Sequence, residues 1–242
     1  MDAIRIENLT KRYRDVVAVD GLSLTVAEGE LLALLGVNGA GKTTTVKMLS
    51  CLSTPSEGDA WLLGKSILRD TAAVKEVIAV SPQETAVALG LTVYENLALI
   101  AGIHGFSGDA REKKIAELTE ALGLSTVMKK KAAKLSGGWQ RRLSIAMALI
   151  SEPKILFLDE PTLGLDVIAR AELWQIIRAL KGRVTIILTT HYMEEAEKLS
   201  DRIAIMKDGR LLTVGTAEEM KQRTKSETFE DAFIAIVKGE IL

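Results

Sequence analysis

Apolar residues fall along this chain in short solid runs separated by polar and glycine-containing breaks. Leu31-Leu32-Ala33-Leu34-Leu35 and Ile155-Leu156-Phe157-Leu158 are unbroken, the pattern of strands buried on both faces in a parallel sheet. Val77-Ile78-Ala79-Val80 and Val184-Thr185-Ile186-Ile187-Leu188 read the same way. Residues 4–26 read as short strands, with Asp20-Gly21 as the hairpin signal, and Glu28-Gly29-Glu30 as a turn. A second hairpin is expected over residues 203–214 around Asp208-Gly209.

Helical spacing predicts helices over residues 42–52, 91–103, 111–122 and 168–180, and one more ahead of the second hairpin. Gly123 is the C-terminal cap of the third, and Pro55 and Gly58 stop the first. Residues 84–150 contain no strand pattern, and an insertion of roughly sixty-five residues has the size of a subdomain rather than a loop. Phe229, Phe233, Ile236 and Val237 recur at helical spacing near the end, as a packing face. The pattern predicts one α/β domain: a parallel-sheet core over about 1–83 and 151–215, a helical subdomain over about 84–150, and a helical tail over 216–242.

Composition narrows the partners. The 242 residues are 48% hydrophobic and 26% charged, as a folded globular protein requires. Lys and Arg number 31 against 32 Asp and Glu, so the basic excess of a nucleic-acid binder is missing and no nucleic-acid partner is expected. Cys51 is the single cysteine, which excludes an intrachain disulfide. No run reaches the roughly 18 apolar residues of a membrane span, and Met1-Asp2-Ala3-Ile4-Arg5 lacks the layout of a signal peptide. A cytoplasmic protein is expected, serving a membrane only through another chain.

Candidate chemistry begins at Gly36-Val37-Asn38-Gly39-Ala40-Gly41-Lys42-Thr43, which matches G-x-x-x-x-G-K-[ST] between a predicted strand and a predicted helix. Glycines let backbone N–H groups turn toward phosphates, and the helix N-terminus adds positive potential. In such a loop Lys42 pairs with the β- and γ-phosphates and Thr43 offers a hydroxyl to Mg²⁺. Asp159 and Glu160 end a buried strand, where parallel sheets carry ligand sites. Asp159 suits a Mg²⁺-holding carboxylate, and Glu160 a base for attack on the γ-phosphate. Together these features predict a P-loop NTPase core.

Leu135-Ser136-Gly137-Gly138-Trp139-Gln140 resembles the signature sequence of ABC transporter nucleotide-binding domains. Trp139 departs from the family's glutamine, although exporters of the ABC-2 type often carry a large residue there. Further landmarks follow in the family's order: Gln83 at a strand end, Leu163-Gly164-Leu165-Asp166, and His191 after Leu188-Thr189-Thr190. The resemblance covers residues 4–215 and implies a fold: a P-loop core with a parallel sheet, an N-terminal antiparallel β subdomain and an inserted α-helical subdomain. It also implies the cofactors ATP and Mg²⁺. Tyr13 would stack on adenine, and Gly36, Asn38, Gly39, Ala40, Gly41, Lys42, Thr43 and Thr44 would hold phosphate. Gln83 would meet Mg²⁺ or the attacking water, alongside Thr43 and Asp159 as metal-side residues, and His191 would contact the γ-phosphate. Asp166 would belong to the family's D-loop and count among the nucleotide-binding residues.

The family works as head-to-tail dimers, so a second nucleotide-binding subunit, as a homodimer, is an implied partner. Each ATP would lie against Ser136, Gly137 and Gly138 of the opposite chain. The other implied partner is a membrane-spanning permease, which would hold the chain on the inner face of the cell membrane. His191-Tyr192-Met193-Glu194-Glu195-Ala196-Glu197 and the short tail resemble the ABC-2 exporters. A soluble ABC ATPase of cofactor assembly is the competing expectation. A GTPase or kinase would leave the signature and His191 unexplained. Taken singly, Tyr13 also fits a half-buried strand aromatic and Gln83 a polar loop residue. Lys129, Lys130, Lys131 and Lys134 read as a solvated loop, and His104 is assigned no chemistry.

Overall fold

The computed structural model describes residues 2–239. Met1 and the end of the expected tail, 240–242, lie outside the described residues. In chain order the elements begin with β1 (Asp2–Tyr13), β2 (Val16–Ala27), β3 (Leu31–Leu35), α1 (Lys42–Leu49), β4 (Glu57–Leu62), β5 (Lys65–Ser66) and α2 (Thr71–Lys75). β6 (Ile78–Ser81), α3 (Val93–Ile103), α4 (Gly108–Ala121), α5 (Gly137–Leu149), β7 (Ile155–Asp159) and α6 (Val167–Leu180) follow. The chain closes with β8 (Thr185–Thr190), α7 (Met193–Leu199), β9 (Arg202–Lys207), β10 (Arg210–Gly215), α8 (Ala217–Thr224) and α9 (Phe229–Lys238). They form two compact units, residues 1–75 with 181–242 and residues 76–180, within the described range. The second unit therefore takes in β6, β7 and α6 as well as the segment expected to be helical.

In the first unit β3 lies between β8 and β9, parallel to both, and β10 returns antiparallel to β9. Every residue of β3 and β8 is buried, which is why these segments carry no polar alternation. A separate antiparallel sheet has the order β2-β1-β4-β5, giving the N-terminal antiparallel layer.

The first hairpin differs from expectation. Asp20-Gly21 lies inside β2 rather than at its turn, and the chain reverses at Arg14-Asp15, between the paired residues Tyr13 and Val16. The Asp20-Gly21 dipeptide is a bulge. The register shifts between Leu9 and Lys11, Gly21 has φ +60°, and its N–H donates to Thr10 Oγ1 at 3.0 Å. The local conformation resembles a turn because a bulge also needs a residue at positive φ. Asp20 instead anchors the second hairpin: its N–H donates to the Gly209 carbonyl at 2.9 Å and its carboxylate pairs with Arg210 at 2.8 Å. The β4–β5 hairpin had no turn signal because Leu63, at φ +50°, shares its two-residue turn with Gly64.

The tail behaves as its spacing predicts. Phe229, Ala232 and Phe233 of α9 join Ala33, Leu35, Ile203 and Ile205 in one buried cluster, with Ile236 and Val237 packed against it. Thr228 caps the helix by accepting from the Asp231 N–H. Phe229 is essentially inaccessible, so Phe229→Ala is expected to cost about 3–5 kcal/mol of stability. Urea unfolding checks this, and a loss below about 1 kcal/mol would mean that the tail does not belong to the core.

The second unit pairs β6 and β7 in parallel, Ser81 opposite Leu158, and adds α3 to α6. A capping box starts α3, in which Thr92 and Glu95 exchange side-chain and backbone bonds. Those bonds from Thr92 hold the Glu95 carboxyl below its usual range. Gly123, at φ +65°, follows α4 as expected of a C-terminal cap.

Candidate active site

The shape of the phosphate loop follows from its glycines and from the chain that packs against them. It leaves β3 after Leu35, which pairs with Thr190 at the end of β8, so His191 emerges in the first unit beside the loop's origin. Gly36 is required by contact: a Cβ there would lie 2.3 Å from the Met206 carbonyl oxygen. Gly41 is required by conformation and contact together, with φ +99° and a Cβ position 2.5 Å from the Ala18 carbonyl oxygen. The Gly209 N–H donates to the Ala40 carbonyl at 3.2 Å, fastening the loop to the second hairpin.

Lys42 is 5% exposed, and its Nζ donates to the carbonyls of Gly36 at 2.7 Å and Val37 at 3.3 Å. The ammonium is thus held across the inside of the loop by the chain's own carbonyls. Val37, Asn38 and Gly39 are exposed, while Thr43 and Thr44 are partly exposed in the first turn of α1. His191 is partly exposed and its ring stands 4.1 Å from that of Tyr192, centroid to centroid. Tyr13 ends β1 with 45% of its surface exposed. Lys11 Nζ lies 5.0 Å from its ring centroid, and its hydroxyl is 3.5 Å from Ser53 Oγ.

The second unit carries the carboxylates. Asp159 and Glu160 are 5% and 8% exposed, at the carboxyl end of β7. Glu160 takes φ +46°, a left-handed conformation that costs a non-glycine residue free energy and is kept where the surrounding structure imposes it. Gln83 follows the paired end of β6 and is exposed, so it and the two acids leave adjacent parallel strands at the same end. Asp166 Oδ1 accepts from the Ala169 N–H at 2.9 Å and so starts α6.

Ser136, Gly137 and Gly138 form the entry to α5. Ser136 is the N-cap residue, yet its side chain makes no capping bond, and it and Gly137 are exposed. Gly137 and Gly138 lie against the Leu163–Asp166 segment and α6: added Cβ atoms would be 3.6 Å from Leu165 Cδ2 and 3.0 Å from Ala169 Cβ. Trp139 stacks under Arg142, whose guanidinium carbon is 4.7 Å from its ring centroid and which also pairs with Glu172 of α6. Nothing in the sequence pattern marks Arg142 or Glu172, since the pair depends on two helices meeting.

Each unit thus holds one set of groups: Lys42, Thr43 and His191 around the loop in the first, and Gln83, Asp159, Glu160 and the Ser136 turn in the second. The family model for ABC transporters matches residues 19–163. The chain belongs to the ABC transporter family. It is an ATPase subunit of that family, most like its ABC-2 exporter group.

Among relatives of this ABC ATPase, the daunorubicin resistance ATP-binding protein DrrA3 of Streptomyces coeruleorubidus is 41% identical over 229 residues, covering 94% of this chain and 72% of that protein. The probable multidrug ABC transporter ATP-binding protein YbhF of Escherichia coli (strain K12) is 37% identical over 241 residues, covering 97% of this chain and 41% of YbhF. A solved ATP-binding subunit of an ABC transporter matches with a TM-score of 0.85 at 26% identity, over 97% of this chain and 99% of that one. A dimeric ATP-binding cassette in a post-hydrolysis state, bound to ADP and Pi, matches with a TM-score of 0.79 at 27% identity, over 88% of this chain and 98% of its own.

Proposed function

We propose that this chain powers export through a separate membrane-spanning partner, working as one of two copies that share their ATP sites. The observation that carries the shared site is the Ser136 turn. A helix N-terminus with a hydroxyl that makes no capping bond and an exposed glycine beside it is a phosphate-binding element, and each chain supplies one such turn and one phosphate loop. Exposed apolar residues support the reading: Val167 and Ile168, directly after Asp166, are 77% and 73% exposed, as suits a surface that a second copy covers.

In the assembled site the loop amides and Lys42 would hold the phosphates, and Tyr13 would stack on the adenine. Thr43 and Asp159, with Gln83, offer the hard oxygen donors that suit Mg²⁺, which takes one or two carboxylates together with substrate phosphates and water. Among the described residues no group of three or more His, Cys, Asp or Glu forms a dedicated metal cage. Bound Mg²⁺ would neutralise charge developing on the phosphates. Glu160 would take the proton of the attacking water, and His191 would contact the γ-phosphate. Ser136, Gly137 and Gly138 of one chain would grip the γ-phosphate held by the other, so hydrolysis would remove the bridge between copies.

The membrane partner is inferred from the relatives' names and from the helical unit's surface. No described helix is long and apolar enough to cross a membrane. Leu99 and Ile103 are exposed, next in sequence to Ile100 and His104, which with Pro82 and Met147 line part of a cleft of about 270 Å³. A cytoplasmic helix of the permease is the occupant this surface suits, which would hold the chain on the inner face of the membrane. The test is purification of the tagged chain from gently solubilised native membranes. A stoichiometric multi-span protein is expected with it. Recovery only in the soluble fraction with a cytosolic partner would point instead to a soluble ABC ATPase of cofactor assembly.

A further inference from the structure

The signature helix carries a buried cation that the proposed site does not use. Arg141 lies in the second turn of α5 and is 5% exposed, an expensive location for a guanidinium unless its donors are met. Its two terminal nitrogens donate to two consecutive backbone carbonyls, Nη1 to Pro82 and Nη2 to Gln83, each at 2.6 Å. These are short, charge-assisted bonds, and the planar fork can reach both carbonyls at once where a lysine would offer one point charge. One turn further along the same face, Ser144 Oγ lies 3.0 Å from Ser81 Oγ in a buried contact. Residues 81, 82 and 83 are therefore all held by one face of α5. Their neighbour Arg142 fastens the same turns of α5 to α6 through Glu172.

The arrangement has a directional consequence. The main chain at Gln83 is fixed by its carbonyl while its side chain stays exposed, and the helix that fixes it begins at Ser136. We infer that Arg141 is a positioning residue for ATP hydrolysis: it locks the main chain at Gln83 to the helix that starts with the Ser136 turn, so that the Gln83 amide and that turn move as one piece. The inference rests on the proposed site, in which Gln83 reaches the metal or the attacking water. Arg141 touches neither ATP nor metal in this account. Its loss should alter the reacting geometry rather than the grip on nucleotide.

The experiment uses the full chain with Arg141→Gln, Arg141→Lys, Gln83→Ala and the double variant Arg141→Gln with Gln83→Ala. Melting temperature is followed alongside ATP affinity, kcat and KM. Arg141→Gln is expected to lower kcat at least about tenfold while ATP affinity stays within about twofold, a split that marks an interaction made at the transition state. Arg141→Lys, which keeps the charge without the fork, should fall between it and the parent chain, and it decides the matter if Arg141→Gln does not fold. The double variant should be no more than about twofold slower than Gln83→Ala, because two residues acting through one geometry are not additive. Folded Arg141 variants with full turnover, or costs that simply add, would overturn the inference alone. A Gln83→Ala chain with full turnover would overturn the assigned role of Gln83 and this inference with it.

Discussion

Glu160→Gln is expected to lower ATP turnover by about 10²–10⁴-fold while leaving ATP binding unchanged. The substitution is nearly isosteric and removes only the ability to take a proton. Glu160 is buried and held at positive φ directly after β7, and its main-chain carbonyl accepts from the Leu163 N–H at 3.2 Å, so the main chain that carries the carboxyl is fixed by the fold. Because nucleotide would still bind and close the pair of copies, the variant should accumulate as an ATP-bound dimer, visible by light scattering. Rapid hydrolysis by Glu160→Gln would remove Glu160 from the role of base.

The second large effect is on binding. Lys42→Ala is expected to weaken ATP affinity by at least about tenfold to a hundredfold, corresponding to roughly 1.4–2.8 kcal/mol. Two consequences of the geometry combine. The loop loses the positive charge that pairs with the terminal phosphates, and the carbonyls of Gly36 and Val37 lose the donor that they share. Titration with a fluorescent ATP analogue measures the change, with the melting temperature as a control for folding. Unchanged affinity in a folded variant would contradict the phosphate-loop assignment.

The contrast between these two residues shows what could be read from sequence. Lys42 and its glycines are legible because their task is local: a loop that turns amides inward needs residues without Cβ at fixed spacings, as the contacts of Gly36 and Gly41 bear out. The buried strands β3 and β7 are legible because a strand covered on both faces has no polar positions. Asp20-Gly21 misled because a bulge and a hairpin turn ask for the same local conformation, and only the pairing of β1 with β2 tells them apart. The β4–β5 hairpin was silent because Leu63 occupies a conformation usually left to glycine or asparagine. The positions of Arg141, Arg142 and Glu172 give no local signal at all. Their hydrogen-bonding partners are distant in sequence, and one of them reads main-chain carbonyls that any residue would present.

The unit boundaries show the same limit. Helical spacing marks residues 84–150 as one segment, but β6, β7 and α6 pack with that segment in the compact unit of residues 76–180. Periodicity reports which face of an element is buried, not which neighbour buries it.

If ATP is hydrolysed at sites completed by a second copy of the chain, turnover depends on how much of the protein is paired. The decisive measurement is ATP turnover per chain as the concentration of purified protein is raised, with the oligomeric state followed in parallel. Turnover per chain is expected to climb with concentration and to level off as the ATP-bound dimer forms. Turnover per chain that stays flat while the protein remains monomeric would mean that one chain hydrolyses ATP alone.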